Sequence, residues 1–291
     1  MLACMPIYSE NSYRSRDGLK LYYRDYPGDM KKVPVLCLHG LTRNCRDFEA
    51  LALKLTPGRR VITPDFRGRG QSQYDSMWMN YHPMTYVEDM WLLMRELGID
   101  RVIAIGTSLG GLVAILMAAV RAQTFSGVVL NDVGPEIDPV GAARIRSYAG
   151  RFPPPRTWDD AIEQMKSVFG VALPDFSELQ WSDFVRLSYS EDSTGSPRLE
   201  ADPRIGDAVR AIQPPPGAVQ GMWMAFNALR DTPTLAIRGA LSDVLSVEVF
   251  DRMQREHPGL RRVTVQNRGH VPQLDEPEVR AALDQFLAEL P

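Results

Sequence analysis

The chain has 291 residues, which is longer than a typical single domain but short enough for one α/β domain that carries an insertion. Its 44% apolar and 24% charged residues are typical of a globular protein with a large core. With 33 basic and 36 acidic residues the formal net charge is −3, which argues against a nucleic-acid-binding protein that works through bulk positive charge.

The sequence contains no recognisable membrane or export signal. No stretch approaches the roughly 18 apolar residues of a membrane-spanning helix. The first 18 residues lack the basic region and the sustained apolar run of a secretory signal. The three cysteines, Cys4, Cys37 and Cys45, are an odd number and form no CxxC pair, so reduced thiols are the simplest interpretation. We therefore predict a cytoplasmic protein that does not contact membranes.

The chain begins with a predicted β-hairpin and continues with alternating strands and helices. Asp17-Gly18, a favoured two-residue turn, lies between two segments rich in β-forming residues. Short apolar runs follow, each leading into a loop and a helical segment, which is typical of parallel strands buried on both faces. This order predicts an α/β fold with a mostly parallel, doubly wound sheet. The runs are residues 35–39, 61–64, 102–105, 128–130, 234–238 and 262–265.

A long segment between the fourth and fifth of these runs has a different character. Proline triplets at residues 153–155 and 214–216 interrupt it, and neither can continue a helix. The remaining parts show helical spacing of apolar residues, so we interpret the segment as a mostly helical cap that folds over the carboxyl edge of the sheet, where ligands bind in such folds. The predicted units are a core domain of residues 1–134 and 231–291 and a cap of residues 135–230.

A GxSxG motif follows the third apolar run. Gly106-Thr107-Ser108-Leu109-Gly110 lies between an apolar strand and an apolar helix. A nucleophile held on a sharp strand-to-helix turn leaves no room for side chains two residues to either side. The amino end of the helix also lends positive potential to an oxyanion beside the serine. We predict Ser108 as a nucleophile; the alternative is an ordinary glycine-rich turn in which Ser108 caps the helix.

A serine nucleophile needs a base, and we assign that role to His270. It follows the last predicted strand, where a loop can return to Ser108. Of the other histidines, His39 is expected to shape a loop, while His82 and His257 are expected on the solvated surface.

The base needs a carboxylate that fixes its tautomer and stabilises its charged form. Asp243 follows the penultimate strand and is our first choice. Asp132 follows the strand before it and is a rival at the same sheet edge. If Asp243 does not act in this way, we expect it to be a solvated turn residue or a helix cap.

These features together resemble the α/β-hydrolase superfamily. The resemblance rests on the serine–acid–histidine order, the GTSLGG turn, Gly269-His270, and the segments LHGL at 38–41 and DFRGRGQS at 65–72. It implies an α/β-hydrolase fold of the cap-bearing branch with a serine nucleophile, which includes esterases and C–C hydrolases. It also implies an oxyanion hole formed by the backbone N–H groups of Leu41 and Leu109, and a bracing role for residues 65–72.

The sequence predicts neither a metal nor a cofactor. The histidines are scattered and the cysteines are unpaired, so no metal-binding cluster is predicted. Neither a phosphate-binding P-loop nor a dinucleotide fingerprint is present. Relatives that attack with an aspartate are also excluded, because the nucleophile position holds Ser108.

The cap is expected to supply an apolar pocket for the substrate. The alternative for each candidate residue is packing of the cap against the sheet. Three arginines are candidates for a substrate carboxylate clamp, with surface solvation as their alternative: Arg144, Arg146 and Arg186. The candidate lining residues are Met222, Trp223, Phe226 and Trp181, with Tyr148, Trp158 and Phe169 as further candidates.

The resemblance and the site residues together predict a carboxylesterase-like serine hydrolase. We expect it to cleave small-molecule esters of small to medium size through an acyl-enzyme on Ser108. Alternatives with the same fold are hydrolysis of a carbon–carbon bond in a vinylogous diketone and lactone opening. A different class is a non-catalytic receptor that keeps the pocket only to bind a ligand. We expect no nucleic-acid partner. The sequence does not decide whether the protein forms a homodimer.

Overall fold

A computed structural model describes residues 7–213 and 215–291; Cys4 lies outside the described residues, as does Pro214 of the second proline triplet. The strands are β1 (Ser9–Arg14), β2 (Lys20–Tyr26), β3 (Val35–Leu38), β4 (Val61–Pro64), β5 (Val102–Thr107), β6 (Phe125–Asn131), β7 (Tyr189–Glu191), β8 (Pro197–Leu199), β9 (Thr234–Gly239) and β10 (Arg261–Val265). The helices are α1 (Glu49–Leu55), α2 (Pro83–Glu96), α3 (Leu109–Arg121), α4 (Pro139–Tyr148), α5 (Trp158–Phe169), α6 (Glu178–Arg186), α7 (Ile205–Ala211), α8 (Ala218–Asn227), α9 (Val247–Glu256) and α10 (Pro277–Ala288).

The centre of the fold is an eight-stranded sheet of order β1-β2-β4-β3-β5-β6-β9-β10. β1 and β2 form an antiparallel hairpin, and β2 also pairs antiparallel with β4. All the other pairs in this sheet are parallel. The predicted α/β fold with a mostly parallel sheet is therefore confirmed. Gly18 in the hairpin turn has φ +91°, a value that side-chain-bearing residues rarely adopt.

Successive residues of the central strands point to opposite faces of the sheet. In β3, Leu36 and Leu38 contribute to the core on one face, while Val35 and Cys37 contribute to the core on the other. Residues of α2, α3, α8 and α9 cover the first face. Residues of α1 and α10 cover the second. Every residue of β3, β4, β5, β6 and β9 is thus buried, which explains their nearly continuous apolar sequence.

Residues between β6 and β9 form α4 to α8 and a small antiparallel sheet of β7 and β8. Helices α5 and α6 share a separate apolar cluster, and each begins with a capping box, formed by Thr157 with Asp160 and by Ser177 with Gln180. The β7–β8 hairpin was not predicted, because its strands of three residues are too short for a period-two pattern. The division into a core and a cap of residues 135–230 stays a prediction; α8, within that range, packs against α3.

Candidate active site

Ser108 lies on a sharp turn between β5 and α3. Its backbone angles, φ 50° and ψ −115°, are strained for a residue with a side chain. The glycines of the motif are required by contact: a Cβ on Gly106 would lie 2.4 Å from the Gly111 nitrogen, and one on Gly110 would lie 1.9 Å from the Leu38 carbonyl oxygen. The spacing of the motif therefore follows from the close approach of the turn to its own helix and to β3.

His270 reaches Ser108 from the loop after β10. Ser108 Oγ lies 2.8 Å from His270 Nε2. On the far side of the ring, His270 Nδ1 lies 2.7 Å from Asp132 Oδ2. Because an ionised carboxylate only accepts hydrogen bonds, Nδ1 carries the proton and Nε2 is left to accept from the serine hydroxyl. His270 is 5% exposed, so bulk water does not surround it.

Asp132 is held in place by the ends of two neighbouring strands. It is fully buried, and its Oδ1 accepts a hydrogen bond from the Gly239 amide at 2.8 Å. Its Oδ2 accepts a second one from the Ser242 hydroxyl at 2.6 Å. Together with His270, these donors give both carboxylate oxygens partners, so protein groups stabilise the negative charge.

The prediction that Asp243 is the acid is wrong in this structure. Its carboxylate binds Arg144 side by side, with Nε and Nη2 at 2.5 and 2.7 Å. Although burial by itself raises the pKa of the Asp243 carboxyl, the hydrogen bonds and charge of Arg144 lower it overall. Asp243 thus anchors α4 to the loop after β9, and the rival residue Asp132 makes the contact with His270.

Strand register explains why Asp132 is favoured. β5 and β6 are neighbours, with Thr107 paired to Asn131, and the Ser108 amide donates to the Asn131 carbonyl at 3.0 Å. Asp132 therefore leaves the sheet at the same level as Ser108. The available signal was its position directly after the strand, whereas Asp243 lies four residues beyond Gly239, the last residue of β9.

The backbone N–H groups of Leu41 and Leu109 are both available at the edge of the sheet. Leu109 is the first residue of α3, where an N–H has no partner within the helix. Among the residues that the structure describes, neither of these two N–H groups donates a hydrogen bond. Leu41 also lines the same cavity as Ser108. Two free donors of this kind can stabilise negative charge that develops on a carbonyl oxygen.

His39 fixes the peptide that carries the Leu41 N–H. Its Nδ1 lies 2.8 Å from the Gly40 carbonyl oxygen, and its Nε2 accepts from the Phe66 amide at 3.0 Å. Burial lowers the pKa of His39 to about 3, so the ring is neutral. Since Gly40 C=O and Leu41 N–H belong to one peptide plane, the hydrogen bond from His39 sets the direction of that N–H.

Two arginines of the 65–72 segment support the same edge of the sheet. Arg69 Nε donates to the Leu41 carbonyl oxygen at 2.8 Å. Arg67 is 1% exposed and binds three carboxylates, those of Asp17, Asp75 and Asp89. Both arginines are therefore buried structural residues and not surface charges.

A cavity of about 70 Å³ adjoins Ser108 and His270. Of the sequence candidates for its lining, Tyr148 and Phe169 are present. The apolar residues from the segment between β6 and β9 that line it are Ile145, Tyr148, Phe169, Leu173, Phe184 and Leu187.

The four principal pocket predictions are wrong. Met222, Trp223 and Phe226 of α8 pack in the core beside α3. Trp181 is buried in the cluster of α5 and α6. The sequence could not separate cavity-lining residues from core residues, because both are apolar residues at helical spacing. They differ only in the surface against which they pack. Trp158, a further candidate, is not at the cavity and lies under Arg186 at 4.2 Å.

The other two histidines have structural roles. His82 caps α2 by accepting from the Met84 amide, whereas His257, expected on the surface, is 2% exposed and contacts the Thr232 carbonyl. In the described ranges, no group of three or more His, Cys, Asp or Glu side chains has the geometry to hold a metal ion. No helix there combines the length and apolarity needed to cross a bilayer.

Comparison with known proteins gives consistent results over nearly the whole chain. The alpha/beta hydrolase fold family matches residues 33–277. The chain is 30% identical over 279 residues to the 3-hydroxybutyrate-oligomer hydrolase of Cupriavidus necator, covering 92% of each protein. It is 25% identical over 253 residues to the 2-(acetamidomethylene)succinate hydrolase of Mesorhizobium japonicum, covering 84% of each. Among solved structures, an alpha/beta hydrolase from Novosphingobium aromaticivorans is 41% identical with a TM-score of 0.91, over 98% of this chain and 99% of that one.

Proposed function

This chain belongs to the alpha/beta hydrolase family, and from that premise we propose that it is a serine hydrolase that cleaves carboxylic esters of small to medium size. The observation that carries the proposal is the continuous chain of hydrogen bonds from Ser108 through His270 to Asp132, at 2.8 and 2.7 Å. A hydroxyl, an imidazole and a buried carboxylate in this order are the requirements for activating a serine.

In the proposed reaction Ser108 Oγ attacks the ester carbonyl carbon while His270 Nε2 takes the hydroxyl proton. The Leu41 and Leu109 N–H groups stabilise the oxyanion of the tetrahedral intermediate. The intermediate collapses by breaking the bond to the alcohol, which leaves with the proton from His270. Water then attacks the acyl-enzyme in the same manner, giving the carboxylic acid and free Ser108.

Two features support linear esters of small acids as the first substrates to test. The cavity beside Ser108 is small and its lining is mainly apolar. The 30% identical relative bears the name 3-hydroxybutyrate-oligomer hydrolase, and such oligomers are esters of a small hydroxy acid. Carbon–carbon bond hydrolysis and lactone opening stay alternatives. Dienoates and lactones should therefore be tested as substrates beside the short esters.

Substitution of Ser108 by Ala tests the proposal. We expect turnover of the short esters to fall by about 10³-fold or more, because the nucleophile is removed. A fluorophosphonate probe should label the wild-type protein and not this variant. Ser147→Ala is the matched control, because Ser147 lies on α4 and its hydroxyl donates to the Arg144 carbonyl at 2.7 Å, away from Ser108 and the cavity lining. Unchanged ester hydrolysis in the Ser108 variant would refute the proposal, and a folded wild-type protein that the probe does not label would favour the receptor alternative.

A further inference from the structure

We propose that Arg43 binds a carboxylate of the substrate and so makes the enzyme selective for esters that carry a free acid group. This inference rests on the proposed ester hydrolysis at Ser108. Arg43 follows β3 in the loop that begins with His39 and Gly40, and it lines the same cavity as Ser108. A Cβ placed on Gly40 would lie 3.5 Å from Arg43 Cγ and 4.0 Å from Ser108 Cβ, so these side chains share one corner of the cavity.

One edge of the Arg43 guanidinium already binds a carboxylate of the protein. Its Nε and Nη2 bind the Asp47 carboxylate, at 2.8 Å and 2.6 Å to different oxygens. Its face stacks on the Phe184 ring at 4.1 Å from the centroid. These contacts fix the plane and the direction of the group, which lowers the conformational entropy that binding a ligand would otherwise cost.

The opposite edge of the guanidinium has no partner. Arg43 Nη1 is buried and makes no hydrogen bond to any residue that the structure describes. Arginine offers five N–H donors in a planar fork, and after Asp47 has been bound along one edge, Nη1 and the second N–H of Nη2 form another edge of the same shape. That edge fits a second carboxylate.

A purely structural role for Arg43 does not account for this arrangement. A buried donor without an acceptor is costly, so a residue needed only to join Asp47 to Phe184 gains nothing from burying Nη1. Several other side chains in the described ranges also have an unpartnered buried nitrogen or oxygen, but of the whole set Arg43 alone lines the cavity with Ser108. The unfilled donor therefore lies where a substrate binds.

The cavity also limits which acids fit. Besides Arg43, the ionisable side chains of its described lining are those of Asp47 and His270, so Arg43 is the permanent cation available to an anionic substrate. With a volume of about 70 Å³, the space accommodates only a short connection between the reacting carbonyl and the acid group. The substrate class inferred is a short linear ester whose acyl or alcohol part ends in a carboxylate.

The test compares two substrates that differ only in charge. One is the linear dimer of 3-hydroxybutyrate with its free carboxylate, and the other is the same dimer with that carboxylate converted to a primary amide. In Arg43→Gln we expect kcat/KM for the acid to fall by about 100-fold, mainly through KM, because a charge-assisted hydrogen bond is lost. For the amide the change should stay within about threefold. Arg43→Lys should recover part of the preference for the acid.

Two further variants separate substrate binding from folding. Arg43→Gln combined with Asp47→Asn removes the unpaired carboxylate that the single change leaves behind, and it should show the same loss of preference. Arg60→Gln is the matched control, since Arg60 pairs side by side with Asp25 through Nε and Nη2, as Arg43 does with Asp47, but lies outside the cavity lining. It should leave the ratio of acid to amide turnover unchanged. Equal losses on both substrates in Arg43→Gln would overturn the inference.

A binding measurement distinguishes failure of this inference from failure of the proposed function. In the Ser108→Ala background, the acid dimer should raise the melting temperature more than the amide dimer, and Arg43→Gln should abolish that difference. If wild-type protein hydrolyses neither dimer but this difference is present, the proposed ester substrate is wrong and the carboxylate site stands. If the difference is absent, or is unaffected by Arg43→Gln, the carboxylate site is refuted.

Discussion

His270 Nδ1 lies 2.7 Å from Asp132 Oδ2, although another acid, Asp243, is available in the loop after β9. The two aspartates differ in their other partners. Asp132 is bound by neutral donors, a backbone amide and the Ser242 hydroxyl, so its charge remains available to an imidazolium. Asp243 is already neutralised by Arg144. From this difference we expect Asp132, and not Asp243, to support His270.

Paired substitutions of these acids test the assignment. Asp132→Asn should lower kcat by about 10³- to 10⁴-fold, because the amide no longer holds the Nδ1–H tautomer or stabilises the charged ring. Asp243→Asn should leave kcat within about threefold, since it breaks only a partly exposed ion pair. Steady-state kinetics on one short ester compares the two. A larger loss in the Asp243 variant would return the role to that residue.

Substitutions of His39 test its control of the Leu41 N–H. In His39→Asn the side-chain NH₂ takes the place of Nδ1–H, keeps the hydrogen bond to the Gly40 carbonyl and should preserve most of the turnover. In His39→Gln the side-chain oxygen takes the place of Nε2, and the hydrogen bond to Gly40 is lost. We expect His39→Gln to lower kcat by about 10- to 100-fold with little change in KM, because one oxyanion donor is misdirected. Each variant loses one hydrogen bond, so their melting temperatures should be similar. Equal turnover in the two would show that His39 serves only stability.

The neutral, buried His39 also predicts acid sensitivity. In the folded protein its pKa is lowered to about 3 by burial, whereas an unfolded histidine has a pKa near 6.5. Below about pH 6.5 the unfolded chain therefore binds a proton that the folded protein does not, and stability is lost as the pH falls towards 3. Between pH 6.5 and 4.5 this contribution is about 2 kcal/mol. Denaturant titrations at the two pH values should show that His39→Asn loses less free energy of unfolding than the wild type, by about this amount. An equal loss in the two proteins would contradict the assignment.

Residues of the core and of the cavity should respond differently to truncation. Phe226 is fully buried beside α3, so Phe226→Ala should lower the free energy of unfolding by about 3 to 5 kcal/mol and leave KM unchanged. Ile145 lines the cavity, so Ile145→Ala should shift the preference among acyl chains by roughly tenfold towards bulkier groups. Unfolding curves and a series of nitrophenyl esters provide the two measurements. An altered acyl preference in the Phe226 variant would restore that residue to the pocket.

Local patterns were sufficient to predict the sheet and the sharp turn that carries Ser108. The apolar run at 35–39 indicates a strand buried on both faces, because such a strand admits few polar residues. The glycines around Ser108 indicate a sharp turn, because the close approach of the backbone leaves no room for side chains. The acid was harder, since Asp132 and Asp243 both follow strands at one edge and only the strand register separates them. The pocket was hardest, because Phe226 and Phe184 have the same character and differ only in the surface that each one faces.

The groups of the Ser108–His270–Asp132 hydrogen-bond chain all lie in loops that follow sheet strands, whereas the described lining residues from the segment between β6 and β9 are mainly apolar, with the Tyr148 hydroxyl as their polar group. Asp132 is the last of those groups before the chain enters that segment. A graft that exchanges α4 to α6 alone would consequently change the cavity lining while Ser108, His270 and Asp132 lie outside the exchanged stretch, provided that a carbonyl again accepts from the Gly269 amide, as that of Ala172 does at 2.7 Å. New selectivity is therefore accessible through exchange of one continuous stretch of sequence.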